Sequence, residues 1–233
     1  MKSMRRDAGL SKPVRILHVL EFVLVCLALY MAFIYAPIEK EQGIVQKIFY
    51  FHVAAAWNAF LAFFLIFVAS IVYLASRRGV WDVVARASCE IGVMFCTATL
   101  LMGSLWARPA WNVWWTWDAR LTTTLVLWFI YVGYLVLRSA TGDSEKGARA
   151  AAVLGIIGFI DVPIVFFSVR WWRTMHTGII VGRSGGGLAP GMGLALMVSV
   201  TAFTLLFVHL VILRTGSMRL SRAATGIWMS VRR

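Results

Sequence analysis

Six runs of apolar residues, each near the length a helix needs to cross a bilayer, limit what this chain can become. They cover about residues 17–35, 52–75, 88–105, 121–137, 150–167 and 188–213. A spanning helix takes about 20 mostly apolar residues. The third and fourth runs are short and are expected to tilt little or to borrow from their flanks. Apolar residues make up 61% of the 233 and charged residues only 14%. Soluble domains lie nearer half and a quarter. One soluble core of this size cannot hide that surplus. An ordinary soluble enzyme, a disordered chain and a disulfide scaffold are excluded. The expected fold is an all-α integral membrane protein: one transmembrane domain over residues 1–233, a six-helix bundle with a short Trp-rich helix or loop (106–120) at its outer surface. The first run is too long, and too polar at its exit, for a cleaved signal peptide, and no small-x-small site follows it.

Charge sets the expected orientation. Lys and Arg number 23 against 10 acidic residues. Sixteen of the basic residues, Arg77, Arg86, Arg138 and Arg222 among them, fall in the two tails and the 76–87 and 138–149 loops, and seven fall in the other three loops. Basic loops stay in the cytoplasm, so both termini are expected there. The basic excess then needs no nucleic-acid partner. Cys26, Cys89 and Cys96 form no CxxC or CxxCH, which excludes a covalently attached c-type haem. Cys26 and Cys96 lie in apolar runs and read as small core residues.

Seven of the eleven Trp fall in the expected outer loops: Trp106, Trp111, Trp114, Trp115, Trp117, Trp171 and Trp172. A belt at the membrane interface accounts for any one of them. It does not account for five between positions 106 and 117. Trp111, Trp114, Trp115 and Asp118 are spaced i, i+3, i+4 and i+7, which on a helix is one face. Such a face is an aromatic shelf for a large flat apolar ligand, or an interfacial helix tucked into headgroups. His52 and His176 lie on the same expected side. Imidazole is the commonest metal ligand and can hold haem iron axially. Without a third His or a carboxylate cluster, two His favour haem over tetrahedral zinc; a polar interface residue is the bland alternative for either. His18 and His209 read as snorkelling or helix-contact residues. Glu21 and Asp161 are intramembrane ionisable groups, candidates for function by default. Asp161 precedes Val162-Pro163 and so also reads as the stabiliser of a kink. The 182–193 stretch, GRSGGGLAPGMG, reads as an outer loop; no strand precedes it, so it is no phosphate site.

Trp111 to Thr122 reads WNVWWTWDARLT, the surroundings of His52 read KIFYFHVAAAW, and those of His176 read FSVRWWRTMHTG. This set resembles the tryptophan-rich WWD family of haem-handling membrane proteins in cytochrome c maturation, and its short, six-span members in particular. The resemblance runs from about Lys47 to Gly178 and extends to the topology. It implies no enzyme but a carrier of haem b as transient cargo, with His52 and His176 as axial ligands. Trp111, Trp114, Trp115, Trp117 and Asp118 would form the platform. Arg120, with Lys47 or Arg173, would meet the propionates. It also implies a bacterial inner-membrane protein with its haem site on the periplasmic side, delivering haem to a periplasmic chaperone (cytochrome c maturation protein E). A small single-helix partner (maturation protein D) and the pathway's ATP-binding cassette subunits are implied as well, besides membrane lipid. The alternative is a haem-translocating permease subunit; a purely structural, lipid-anchored subunit is a third reading. The chain departs from the family pattern at Asn112 (usually Gly), Ala54 (often Pro), Lys47 (usually Arg) and Arg170 (often Asn). The loop is expected to turn differently at Asn112, and Lys47 lacks the planar fork of Arg.

Overall fold

A computed structural model of the chain describes residues 12–172, 174 and 188–231. Seven α-helices make six spans: α1 (Lys12–Tyr30), α2 (Ile48–Ser76), α3 (Gly79–Trp111), α4 (Ala119–Thr141), α5 (Glu145–Phe159), α6 (Asp161–Trp171) and α7 (Pro190–Val231). A five-residue π-helical turn, Met31–Tyr35, continues α1, and a 3-10 turn, Ile44–Lys47, leads into α2. All six spans are long and apolar enough to cross a membrane, α5 and α6 serving together as one. This is an all-α, multi-pass membrane protein, with no strand among the described residues.

The centre of the bundle is α2, which packs against α3, α5 and α7. One of its faces is nearly all small: Ala55, Ala59, Ala62 and Ala69 are each at most 3% exposed. In lipid there is no hydrophobic drive between helices, so close backbone approach and van der Waals contact must bring them together. Gly92 of α3 shows how close that approach is. A Cβ added there would lie 2.8 Å from the Ala62 Cβ. Larger side chains fill the middle, where Phe63 stacks on Tyr131 at 4.1 Å between centroids. The Tyr131 hydroxyl donates to the Gly155 carbonyl at 3.2 Å, and Trp128 Nε1 donates to Thr97 Oγ1 at 2.8 Å.

Helix α1 lies at the side and packs chiefly on α7. Phe22, Val23 and Ile34 face outward, as lipid-facing residues should. Cys26 is exposed there too; it is no core residue, because the apolar run containing it is solvated by lipid rather than by protein. His18 and His209 are helix contacts between α1 and α7, their rings meeting edge-on at 4.3 Å. His209 Nδ1 pairs with Glu21, so that carboxylate has a structural partner.

The helices run further than their apolar runs. Helix α3 begins at Gly79, nine residues before the apolar stretch, and α7 has 42 residues. The extra turns carry charge that is paired rather than free. Arg138, 1% exposed, donates from Nη2 to Asp82 Oδ2 at 3.0 Å. Arg222 donates to the same oxygen at 2.9 Å and to Asp143 Oδ1 at 2.7 Å. Arg86 and Arg214 both reach Glu90. Several basic residues expected in loops thus sit on helices as one network joining α3, α4, the α4–α5 turn and α7. Their pairing leaves the orientation argument intact, since the bias follows Lys and Arg and not net charge.

The fifth span breaks at Ile160, where α5 ends and α6 begins. Pro163 has no N–H for the Phe159 carbonyl, which accounts for the break. Asp161 makes no hydrogen bond to it, and its enclosed Oδ2 has no partner. The kink belongs to the proline, not to the carboxylate. Helix α7 starts at Pro190, a favoured first helical residue, so the last residues of the glycine-rich stretch are helical.

Candidate functional site

The site is built at the end of the bundle where α2 starts, α3 stops and α4 starts. Lys47 governs how the chain enters α2. It is 5% exposed, and its Nζ donates to the carbonyls of Ala32 at 2.8 Å, Phe33 at 3.0 Å and Ala36 at 3.3 Å. These carbonyls belong to the π-helical end of α1, where the helix's own donors have run out. Lys47 is therefore spent as a cap, and its role as a propionate partner is corrected: the amine is enclosed by α1. Replacing Lys47 with Met is expected to cost about 1.5–3 kcal/mol, the worth of a charged donor to enclosed carbonyls. Thermal unfolding in detergent checks this. A changed ligand spectrum at unchanged stability would return Lys47 to the binding surface.

One turn further on, His52 points at α3. Its ring lies against Gly103, where an added Cβ would be 3.1 Å from the imidazole Cε1 and 3.6 Å from Nδ1. Trp106 meets the same ring edge-on at 5.9 Å. Trp106 is held in turn by Phe49 at 6.0 Å, by Trp111 at 6.1 Å and by a 2.9 Å hydrogen bond from Nε1 to Gln42 Oε1. Gln42 and Trp106 carry a fixing role that spacing along the chain gave no sign of.

Only the first part of the Trp-rich segment, through Trp111, is helical. Helix α3 ends at Trp111, Asn112 takes a left-handed conformation with φ +59°, and residues 112–118 are irregular until α4 begins. The one-face reading of Trp111, Trp114, Trp115 and Asp118 is therefore corrected; their helical spacing is accidental. Asn is among the residues that adopt φ > 0 most readily, and it closes α3 as Gly would. Asp118 is the N-cap of α4. Its Oδ1 accepts from the Leu121 N–H at 3.1 Å and its Oδ2 from Thr116 Oγ1 at 3.0 Å, the usual chemistry of a capping carboxylate.

Within this loop the indoles divide by exposure. Trp114 and Trp117 are 58% and 75% exposed, whereas Trp111 and Trp115 are half-buried. Trp115 and Trp117 meet edge-on at 5.8 Å. Beside Trp111 and Trp114 is a cleft. Gly103, Ser104 and Ala107 of α3 form one wall; Trp111, Val113 and Trp114 form another; Thr116, Asp118 and Leu121 close it. Gly103 is the residue shared by this cleft and the seat of His52. Arg120, half-buried in the first turn of α4, stands two residues from Asp118. His176 and Arg173 lie outside the described residues. Trp171 and Trp172 are exposed at the end of α6, and Trp171 stacks on Phe167 at 5.5 Å.

Among the described residues no group of three or more His, Cys, Asp and Glu could hold a metal ion. What the arrangement offers is one anchored imidazole, an apolar cleft with a carboxylate at its rim, and two open indole surfaces. That suits a flat ligand that brings most of its own donors to a metal and needs only axial ones.

The chain matches a family model described as heme exporter protein C over residues 5–230. It is 42% identical over 200 residues to the heme exporter protein C of Bradyrhizobium diazoefficiens, covering 84% of this chain and 76% of that one. It is 35% identical over 196 residues to the heme exporter protein C of Escherichia coli K12, covering 84% and 79%. The protein of the same name from Haemophilus influenzae is 32% identical over 211 residues, covering 90% and 86%.

Proposed function

The chain belongs to the heme exporter protein C family, and from that premise we propose that it holds haem b at one membrane surface as transient cargo and passes it on. His52 and His176 are the axial iron ligands. Trp111, Trp114, Trp115 and Trp117 supply the apolar platform for the porphyrin. Asp118 keeps the platform in place by capping α4, and Arg120 meets a propionate, to which a guanidinium can bond through two parallel donors. Two imidazoles grip the iron from opposite faces and leave the porphyrin edge open to a receiving protein.

The observation that supports this most is the placement of His52. Its ring is wedged between Gly103 and Trp106 beside the cleft under the Trp loop. Sixteen of the 23 basic residues fall in the tails and the 76–87 and 138–149 loops; on that bias the site faces the periplasm and both termini the cytoplasm. The receiver is a periplasmic haem chaperone, cytochrome c maturation protein E. Maturation protein D and the ATP-binding cassette subunits of the pathway complete the assembly.

The purified protein is expected to carry haem with a low-spin, six-coordinate absorbance spectrum, and the double variant His52→Ala, His176→Ala to lose it. A double variant with unchanged haem content and an unchanged Soret band would overturn the ligand assignment.

A further inference from the structure

We propose that Gly103 is a positioning residue for His52: the side chain it lacks is the seat that sets how deep the imidazole lies against α3 and which ring nitrogen faces the cleft. This rests on the reading of His52 as an axial ligand.

The contact is between helices. Gly103 is on α3 and His52 on α2, and the ring edge running from Cε1 to Nδ1 is the part laid against the glycine. His52 Nδ1 is enclosed. The two ring nitrogens differ, and the surroundings of one decide what the other can do. With Nδ1 turned into the bundle against Gly103, Nε2 is the nitrogen that the proposed iron bond would use. Trp106 stands edge-on to the ring and limits its swing. Gly103 also lines the cleft under the Trp loop, so a side chain there pushes the ring at a residue that the cleft shares.

The push can be graded. At 3.1 Å, an alanine Cβ makes the imidazole give by a few tenths of an ångström. A valine adds two methyl groups and leaves the ring no place on α3. Residues that orient a ligating His from behind are worth about 10- to 100-fold in metal affinity, and a steric seat acts on the same ring.

The test compares purified full-length Gly103→Ala, Gly103→Val, His52→Ala and Gly133→Ala with the parent protein. Gly133 is a helical glycine whose added Cβ would meet no described residue outside its own stretch of helix within 4 Å, so its variant controls for losing a glycine from a span. The readouts are haem per protein after detergent washing, the Soret and visible bands, and the haem reduction potential. Gly103→Ala is expected to keep haem with displaced bands and potential. Gly103→Val is expected to lose about 10- to 100-fold in haem retention, while Gly133→Ala matches the parent. Parent-like retention, spectrum and potential in Gly103→Val, with His52→Ala depleted of haem, would overturn the seat and leave the ligand reading standing. Parent-like haem in His52→Ala would overturn the ligand reading and the seat with it. If Gly103→Val is not monodisperse, Gly103→Ala decides, and unchanged bands and potential there refute the proposal.

Discussion

Replacing His52 with glycine is expected to leave the purified protein with a small fraction of its haem. On the proposed bis-His ligation, loss of one of two axial bonds should lower retention on the order of 100-fold, about 2.8 kcal/mol. The residual haem should show a five-coordinate spectrum, because His176 alone cannot fill both axial positions. Free imidazole supplies the missing group. It should restore the six-coordinate bands of His52→Gly, since the space vacated between Gly103 and Trp106 has the shape of that ring. It should do nothing for a variant lacking the Trp platform. An absorbance titration with imidazole, read with haem content, checks both points. Restoration of bands without restoration of retention would mean that His52 tunes the iron but does not hold it.

The largest loss of stability is expected at the other end of the bundle. Asp82 is the carboxylate to which both Arg138 and Arg222 donate. Arg138 is 1% exposed, so removing Asp82 takes the hydrogen-bonded acceptor from a buried charge and leaves it only Asp143 at 3.9 Å. Breaking a buried pair from one side costs about 3–5 kcal/mol. Asp82→Ala is therefore expected to lower the unfolding temperature in detergent sharply and to reduce the amount of protein in the membrane. Asp82→Leu combined with Arg138→Met removes both charges from the interior and should recover most of that loss, since apolar replacement of an intact pair is often neutral. Recovery by the double variant separates the stranded charge from a specific need for the carboxylate. Failure of that recovery would point to Arg222, which would still lack its acceptor at Asp82.

Much of the fold was legible because lipid-spanning helices write themselves as uninterrupted apolar runs. What the runs hid was their ends. Asp82 and Arg86 break the hydropathy of α3, yet the helix carries on through them because each finds an opposite charge, Asp82 on α4 and α7 and Arg86 on Glu90 one turn along α3 and on Asp143 of the α4–α5 turn. No local pattern displays such a partner 56 or 140 residues away. The Trp loop misled for a related reason. Spacing of three and four residues looks helical whether or not a helix forms, and the clearer signals were Asn112, able to adopt positive φ, and Asp118, an N-cap type three residues before Leu121. Lys47 could be singled out by position but not by role, since the carbonyls that occupy it lie 11 to 15 residues away in another element. Gly103 carried no signal at all. A glycine inside an apolar run acquires meaning only when a ring from another span comes to rest on it.

The cleft and its imidazole draw on three spans: His52 comes from α2, the floor from α3, and the closing Asp118 and Leu121 from the start of α4. None of the three makes a recess by itself, so under the proposed reading an iron porphyrin has nowhere to lodge until the second, third and fourth spans have packed together. Free haem is an oxidant that damages lipid and protein alike. On that reading, capture waits for these three spans to meet, a form of proofreading written into the packing of the helices.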